Sequence, residues 1–258
     1  NGTDGAVILA MCNIIVNELG IIDEPFLKLK TNSPYLVGPD MKYVRENGPA
    51  RGVKGHTSPT ARGLGGEPEG VTYIGDDETN KPMVWDVGES KAKVYDDPTI
   101  KEYALEGEFE YKGIKCQSSF ALLKEHLKTY TPEMASKVST VPVETIRRIA
   151  TEFATEARVG STITIDGHTL PYRPVAAIIF RGGEGHGNSY HTCWAVNLIS
   201  AIVGAINVPG GTTGWPARTL GYPGREDVDP GAFKWSVFKG LDGFLQCQRF
   251  GFGSGRSN

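Results

Sequence analysis

The chain has 258 residues, enough for one large domain or two smaller ones with real cores, and its formal charge of −3 is close to neutral for that size. It has no basic stripe with interleaved aromatics, which argues against a nucleic-acid partner. Its longest apolar run, Ala6 to Met11 and then Ile14 to Val16, is interrupted by Asn13 and closed by Asn17, Glu18 and Gly20, so no direct membrane insertion is expected.

Thr3 or Asp4 is placed to cap a helix from about Gly5 to Leu19, since a short side-chain oxygen can satisfy a free N–H of the first turn. Gly20 suits the left-handed stop, and an apolar residue on most faces predicts burial between layers. Asp23-Glu-Pro-Phe-Leu27 opens a second, short helix to about Lys30, with Pro25 in its first turn. From 39 to 117 Gly, Pro, Asp, Glu and Lys dominate and apolar periodicity is lost. Short strand-like pieces at 71–74, 83–85 and 109–111 make this stretch read as a surface insertion with small strands. Periodicity returns at Phe120-Ala-Leu-Leu-Lys-Glu-His-Leu127. Thr131-Pro132-Glu133 then has cap, proline and acid in their preferred order for a helix start.

Pro142 opens the most regular helix, ending near Ala157, with Val143, Ile146, Ile149, Ala150, Phe153, Ala154 and Ala157 on one face. A strand at Ser161-Thr-Ile-Thr-Ile165 and a turn at Asp166-Gly167 follow. Pro174 leads into 175–180, an unbroken apolar run of the kind a buried parallel strand shows. After it come the glycine-rich stretch Arg181-Gly-Gly-Glu-Gly-His-Gly-Asn188, a helix from about Ser189 to Val203 ended by Gly204, and a turn at Val208-Pro-Gly-Gly211. Helices interleaved with buried strands predict an α/β fold: Rossmann-like parallel sheet layers with helices on both faces, plus the irregular insertion. The opening at Asn1-Gly-Thr-Asp4, straight into a helix, and the close on Gly251-Phe-Gly-Ser-Gly255 read as an internal piece of a longer protein.

The strand, glycine-rich stretch and helix over 175–203 have two readings. Glycines let a backbone approach a ligand, and free N–H groups at a helix start favour anions such as a pyrophosphate. The same glycines also serve a tight turn that merely joins two elements. Asn188 stands where G-x-G-x-x-G requires glycine, which counts against an ordinary nicotinamide or flavin dinucleotide fingerprint. His186 is either a solvated loop residue or a group that moves a proton; Glu184 could pair with it or with Arg181. Gly2-Thr3-Asp4 is an ordinary helix start, although an Asp there can also accept from a guanine edge or a ribose. Cys12, Cys116, Cys193 and Cys247 form no C-x-x-C pair, and no metal-ligand spacing, G-x-S-x-G or Walker loop is present.

Four stretches in order resemble the catalytic subunits of the dimethyl sulfoxide reductase family. Asn1-Gly-Thr-Asp-Gly-Ala-Val-Ile-Leu-Ala-Met11 is similar to its "G-T-D-x-A-L-x-L-x-M", and Asp23-Glu-Pro-Phe-Leu27 to "y-D-e-x-F-l". Tyr130-Thr-Pro-Glu133 with Val141-Pro-Val-Glu-Thr-Ile-Arg-Arg-Ile-Ala150 resembles "Y-T-P-E … G-V-p-x-x-x-I-r-x-i-A". Val203-Gly-Ala-Ile-Asn-Val-Pro-Gly-Gly211 resembles "l-x-G-x-x-x-x-P-G-G". Tyr172-Arg-Pro174 and Phe180-Arg-Gly-Gly183 look most like the branch of thiosulfate and polysulfide reductases.

The resemblance implies a Mo or W bis(molybdopterin guanine dinucleotide) oxidoreductase working on a small molecule by oxo transfer or two-electron redox. It implies cofactor contacts at Gly2, Thr3, Asp4, Arg181, Gly182, Gly185 and His186, with His186 the candidate catalytic residue and no metal ligand within the chain. Relatives often carry Met at the position of Arg181 and Gln at that of Gly185, so side-chain contacts at both differ here. It divides the chain into 1–38, the tail of a first cofactor-binding α/β domain; 39–117, the insertion; 118–211, a second α/β domain with the cofactor loop; and 212–258, an incomplete loop-rich segment. The implied partners are an iron–sulfur electron-transfer subunit together with the rest of the same catalytic subunit; an iron–sulfur cluster belongs to the part N-terminal to this stretch. The alternatives are a non-catalytic α/β nucleotide-binding module and a non-redox hydratase or transhydroxylase of the same family.

Overall fold

A computed structural model describes residues 2–48, 80–179 and 181–212. Its centre is helical. Helix α1 (Asp4–Asn13) runs on into a wider-turned π segment, Ile14–Leu19, and stops at Gly20 with φ +65°. The residues from Ala10 to Val16 are buried all round, as their composition requires. The side chain of Asn17 spans the widened turn, donating to Asn13 Oδ1 at 2.9 Å and to the Lys124 carbonyl at 3.0 Å. Around α1 pack α3 (Ser119–Leu127), α4 (Pro132–Ser139), α5 (Val143–Glu156) and α7 (Ser189–Ile202). Their starts follow the capping chemistry: Ser118 Oγ accepts from Ala121 N–H and Thr131 Oγ1 from Met134 N–H, both at 3.1 Å. Ile146, Ala150, Ala154 and Ala157 give α5 its buried stripe. Among the described residues no single helix is long and apolar enough to cross a membrane.

The parallel, Rossmann-like sheet expected from the sequence is not found among the described residues. Their sheets are small and antiparallel: β1 (Leu36–Val37), β5 (Ile114–Ser118) and β4 (Glu108–Tyr111) in that order, then the pairs β2 (Met83–Asp86) with β3 (Lys91–Val94) and β6 (Thr162–Ile165) with β7 (His168–Pro171). The reason is local. Asp166 and Gly167 both take positive φ, +50° and +81°, the geometry that turns a chain back on itself in a two-residue hairpin. The strand at 162–165 therefore pairs with the residues that immediately follow it, Ile165 opposite His168. The run at 175–179 joins no ladder and carries no regular secondary structure. The expected strand at 71–74 lies outside the described residues.

The strands around 36–48 and 80–118 enclose a second, small core of Leu36, Val44, Met83 and Cys116, covered by Trp85 stacked on Phe109 at 4.7 Å. Beside it lies a charge network whose Lys93 and Asp86 are buried and whose Glu89 is exposed. Lys93 Nζ lies 2.7 Å from Asp86 and 3.1 Å from Glu89, and donates to the Thr99 carbonyl at 2.8 Å. The Lys93 ammonium, helped by the amides of Glu102, Lys101 and Gly88, holds the Asp86 carboxyl far below the usual carboxylate range against the opposing effect of burial. Lys91 and Lys93 hold Glu89 down to about 2. Both carboxylates are depressed on folding, so their stabilisation is complete above the unfolded-state range near pH 4 and is lost as pH falls through the folded values. In an acid titration of a variant keeping Trp85 as its only tryptophan, the β2–β3 signal is expected to hold down to about pH 4 and fail below it. A transition between pH 5 and 7 would contradict this account.

Candidate functional site

Helices α1 and α7 lie side by side and point the same way. A Cβ built on Gly5 would meet Thr192 Oγ1 at 3.1 Å near their starts. At the far end, just beyond the π segment, the Asp23 amide donates to the Ile202 carbonyl at 2.8 Å. Two helix N-termini therefore open at one end of the helical core. At neither does the N-cap side chain close the first turn: Thr3 and Asn188 make no capping hydrogen bond. This corrects the expected Thr3 or Asp4 cap. Asp4 is instead the exposed first residue of α1, where its charge sits favourably against the helix dipole.

At this end the structure brings Gly2 and His186 into contact. Gly2 has φ +79°, and a Cβ on it would lie 3.2 Å from His186 Cγ and 3.5 Å from Nδ1. The Asn188 amide donates to His186 Nδ1 at 3.1 Å. An accepting Nδ1 means a neutral ring with its proton on Nε2. That Nε2 is buried and has no hydrogen-bond partner among the described residues. An unmet buried donor is costly, so a partner for it is expected outside the described residues.

The stretch 181–188 is not a loop throughout, because Arg181–Glu184 form a single helical turn, α6. Nor does it follow the carboxyl end of a buried parallel strand; 175–179 before it carries no regular secondary structure. Gly182 and Gly185 are exposed, and a Cβ on Gly182 would meet nothing within 4 Å. Burial pushes the Cys12 thiol well above its ordinary range, so it is no nucleophile. No three His, Cys, Asp or Glu side chains gather as a metal site among the described residues.

Sequence reasoning missed a second cluster. Asp23 caps α2 (Glu24–Lys30) through Oδ1, which accepts from Phe26 N–H at 3.1 Å. Its Oδ2 accepts from Arg173 Nε at 3.0 Å and Nη2 at 2.6 Å, with both side chains buried. Arg173 Nη1 donates to the Ser161 and Tyr172 carbonyls at 2.9 and 2.8 Å, and its amide to the Pro209 carbonyl at 3.1 Å. Gly204 and Gly210 press against this cluster: a Cβ on Gly204 would lie 2.2 Å from Asp23 Oδ2, and one on Gly210 2.9 Å from Pro174 Cα. Asp23-Glu-Pro-Phe-Leu27, Tyr172-Arg-Pro174 and Val203 to Gly211 thus meet at one structural joint, opposite the His186 end of α7. The helix start at Asp23 was legible in the sequence; the partner of its second carboxylate oxygen, 150 positions away, was not.

No protein-family model matches the chain. It is similar to a sulfite dehydrogenase subunit of Allochromatium vinosum, 30% identical over 220 residues that make up 81% of this chain and 21% of that one. The alpha subunit of perchlorate reductase from Dechloromonas aromatica is 32% identical over 180 residues, 60% of this chain and 18% of its own. The alpha subunit of respiratory nitrate reductase from Haloferax mediterranei is 29% identical over 163 residues, 60% of this chain and 16% of its own. The chain spans about a fifth of the length of these curated relatives. It belongs to the dimethyl sulfoxide reductase family of molybdopterin oxidoreductases, as a distant homologue of a stretch of their catalytic subunits.

Proposed function

We propose that this stretch helps to hold a Mo or W bis(molybdopterin guanine dinucleotide) in a catalytic subunit that carries out oxo transfer or two-electron redox on a small substrate. The observation that carries the reading is the buried His186 Nε2, without a partner among the described residues, beside Gly2 at the end of the core where α1 and α7 both begin. When bound, the cofactor supplies a metal that takes up and returns electron pairs; the protein orients it and shapes its surroundings. The paired helix starts favour the phosphates of a dinucleotide, because their first-turn N–H groups and dipoles both attract anions. Gly2 leaves room for close approach at a backbone conformation that other residues resist. Thr3 and Asp4 offer a hydroxyl and a carboxylate for nucleoside donors. Gly182 and Gly185 are exposed, and Arg181, the first residue of α6, is a further proposed cofactor contact. His186 holds a proton on Nε2 and can donate it to an acceptor on the cofactor or substrate. The relatives are themselves named as subunits, and an iron–sulfur electron-transfer subunit is the partner proposed here.

Three variants of the whole catalytic subunit test this. His186→Ala is expected to keep its cofactor content and to lose about 10²-fold in turnover. Gly2→Val and Arg181→Ala are expected to lower the molybdopterin and metal content of the purified protein. Unchanged turnover together with unchanged cofactor content in all three would sink the reading.

A further inference from the structure

Helices α1 and α7 are tied at both ends of their shared length. Near their starts a Cβ built on Gly5 would lie 3.6 Å from Thr192 Cα and 3.8 Å from Thr192 Cβ. At the far end the Asp23 amide donates to the Ile202 carbonyl at 2.8 Å. Between these points α7 buries Thr192, Ala195, Val196 and Ile199, most of them short side chains. Short side chains make shallow ridges, and shallow ridges resist axial sliding weakly. The widened π turn beginning at Ile14 also breaks the regular spacing of α1, so packing at Gly5 does not fix the position of Asp23. The buried ion pair does. Both Arg173 bonds to Asp23 fall on Oδ2, the oxygen that a Cβ on Gly204 would meet at 2.2 Å. Arg173 is held in turn by the Ser161 and Tyr172 carbonyls and, through its amide, by the Pro209 carbonyl. A 14-residue helix is about 21 Å long and stiff along its axis, so a position set at Ile202 carries through to Ser189, just after His186.

We infer that Asp23 and Arg173 are positioning residues: the pair sets the axial position of α7 against α1, and with it the contact between His186 and Gly2. It lies at the end of α7 opposite that contact and acts on it only through the two helices. The inference deepens the reading of Gly2 and His186 as parts of the cofactor site and rests on it for its functional meaning. Its test needs no cofactor.

A disulfide between the helix starts reports their axial match. Gly5→Cys with Thr192→Cys puts two Cβ atoms 3.8 Å apart, the usual spacing of a disulfide. The 258-residue chain, with its four cysteines replaced by alanine, carries this pair of substitutions. Oxidation by glutathione disulfide is expected to close the bridge at least about 10-fold more slowly when Asp23→Asn and Arg173→Met are added. That double replacement keeps the Phe26 cap and most of the arginine's volume, so the rates compare two folded proteins, checked by circular dichroism. A role confined to stability leaves the rate unchanged, and equal rates overturn the inference. Nuclear magnetic resonance reads the consequence at the site. Without the bridge, a nuclear Overhauser effect between Gly2 Hα and the His186 ring is expected in the chain that keeps Asp23 and Arg173. It should be lost in the double replacement and return once the bridge has closed. Its persistence in the double replacement before closure overturns the inference as well. If Asp23→Asn with Arg173→Met does not fold, Asp23→Asn with Arg173→Leu is measured in the same way, with the same outcomes. Failure of the cofactor reading leaves both measurements as they are, because no cofactor is present in either.

Discussion

Replacing Arg173 by Ala is expected to destabilise the chain by about 3–5 kcal/mol, the range for removing one partner of a buried ion pair. The side chains of Arg173 and Asp23 are 5% and 7% exposed, so the remaining Asp23 carboxylate would have almost no water to replace the two donors it loses. The Ser161 and Tyr172 carbonyls would lose a charged donor as well. The pair itself need not be strongly stabilising, because two charges withdrawn from water give back much of their attraction as desolvation. The informative comparison is therefore a double replacement. Asp23→Asn keeps an oxygen to cap Phe26 N–H while removing the charge, and Arg173→Met fills most of the arginine's volume. The double variant should recover much of the loss. Urea denaturation followed by circular dichroism on the 258-residue chain compares both variants with the parent. A loss below about 1 kcal/mol for Arg173→Ala would show that the joint is not held by this pair.

The joint also shows how far the sequence could be read. Elements whose cause is local were legible: α2, α4 and α5 begin where Asp23, Thr131 and Pro142 said they would, and Gly20 and Gly204 end their helices with φ of +65° and +69°. Elements whose cause is a partner were not. The Asp166-Gly167 turn was legible, but 168–171 is too polar to read as a strand, so the hairpin was taken for a link to 175–180. An apolar run such as 175–180 has the composition of a buried strand, and composition does not tell which neighbours bury it. β5 was missed for a related reason. Its tight turn puts a lysine, Lys112, at φ +51° before Gly113 at +78°, and lysine gives little warning of that conformation. At the candidate site, the resemblance pointed to Gly2 and His186. Only the fold shows that they touch, because contact depends on α1 and α7 running in the same direction. The lone Nε2 could not have been read at all, since it follows from which ring nitrogen Asn188 occupies.

Gly204→Ala is expected to cost about 2–5 kcal/mol, adding a left-handed backbone penalty of about 1–2 kcal/mol to about 1–3 kcal/mol of overpacking. Both parts have a visible origin. The backbone at Gly204 has φ +69°, and an added Cβ would fall 2.2 Å from Asp23 Oδ2 and 2.7 Å from Cγ. The carboxylate cannot swing aside cheaply, because Arg173, Phe26 N–H and the bond from its own amide to Ile202 fix it from three directions. Gly20 separates the two contributions: it has nearly the same φ, +65°, and an added methyl there would meet nothing within 4 Å, so Gly20→Ala should show the backbone penalty alone. Coupling then identifies what the methyl displaces. If it acts by forcing Asp23 away from Arg173, Gly204→Ala and Arg173→Ala damage the same interaction, and the double variant should lose clearly less stability than the two single losses added together. Strict additivity would mean that the methyl is accommodated elsewhere and that the end of α7 is positioned independently of the ion pair.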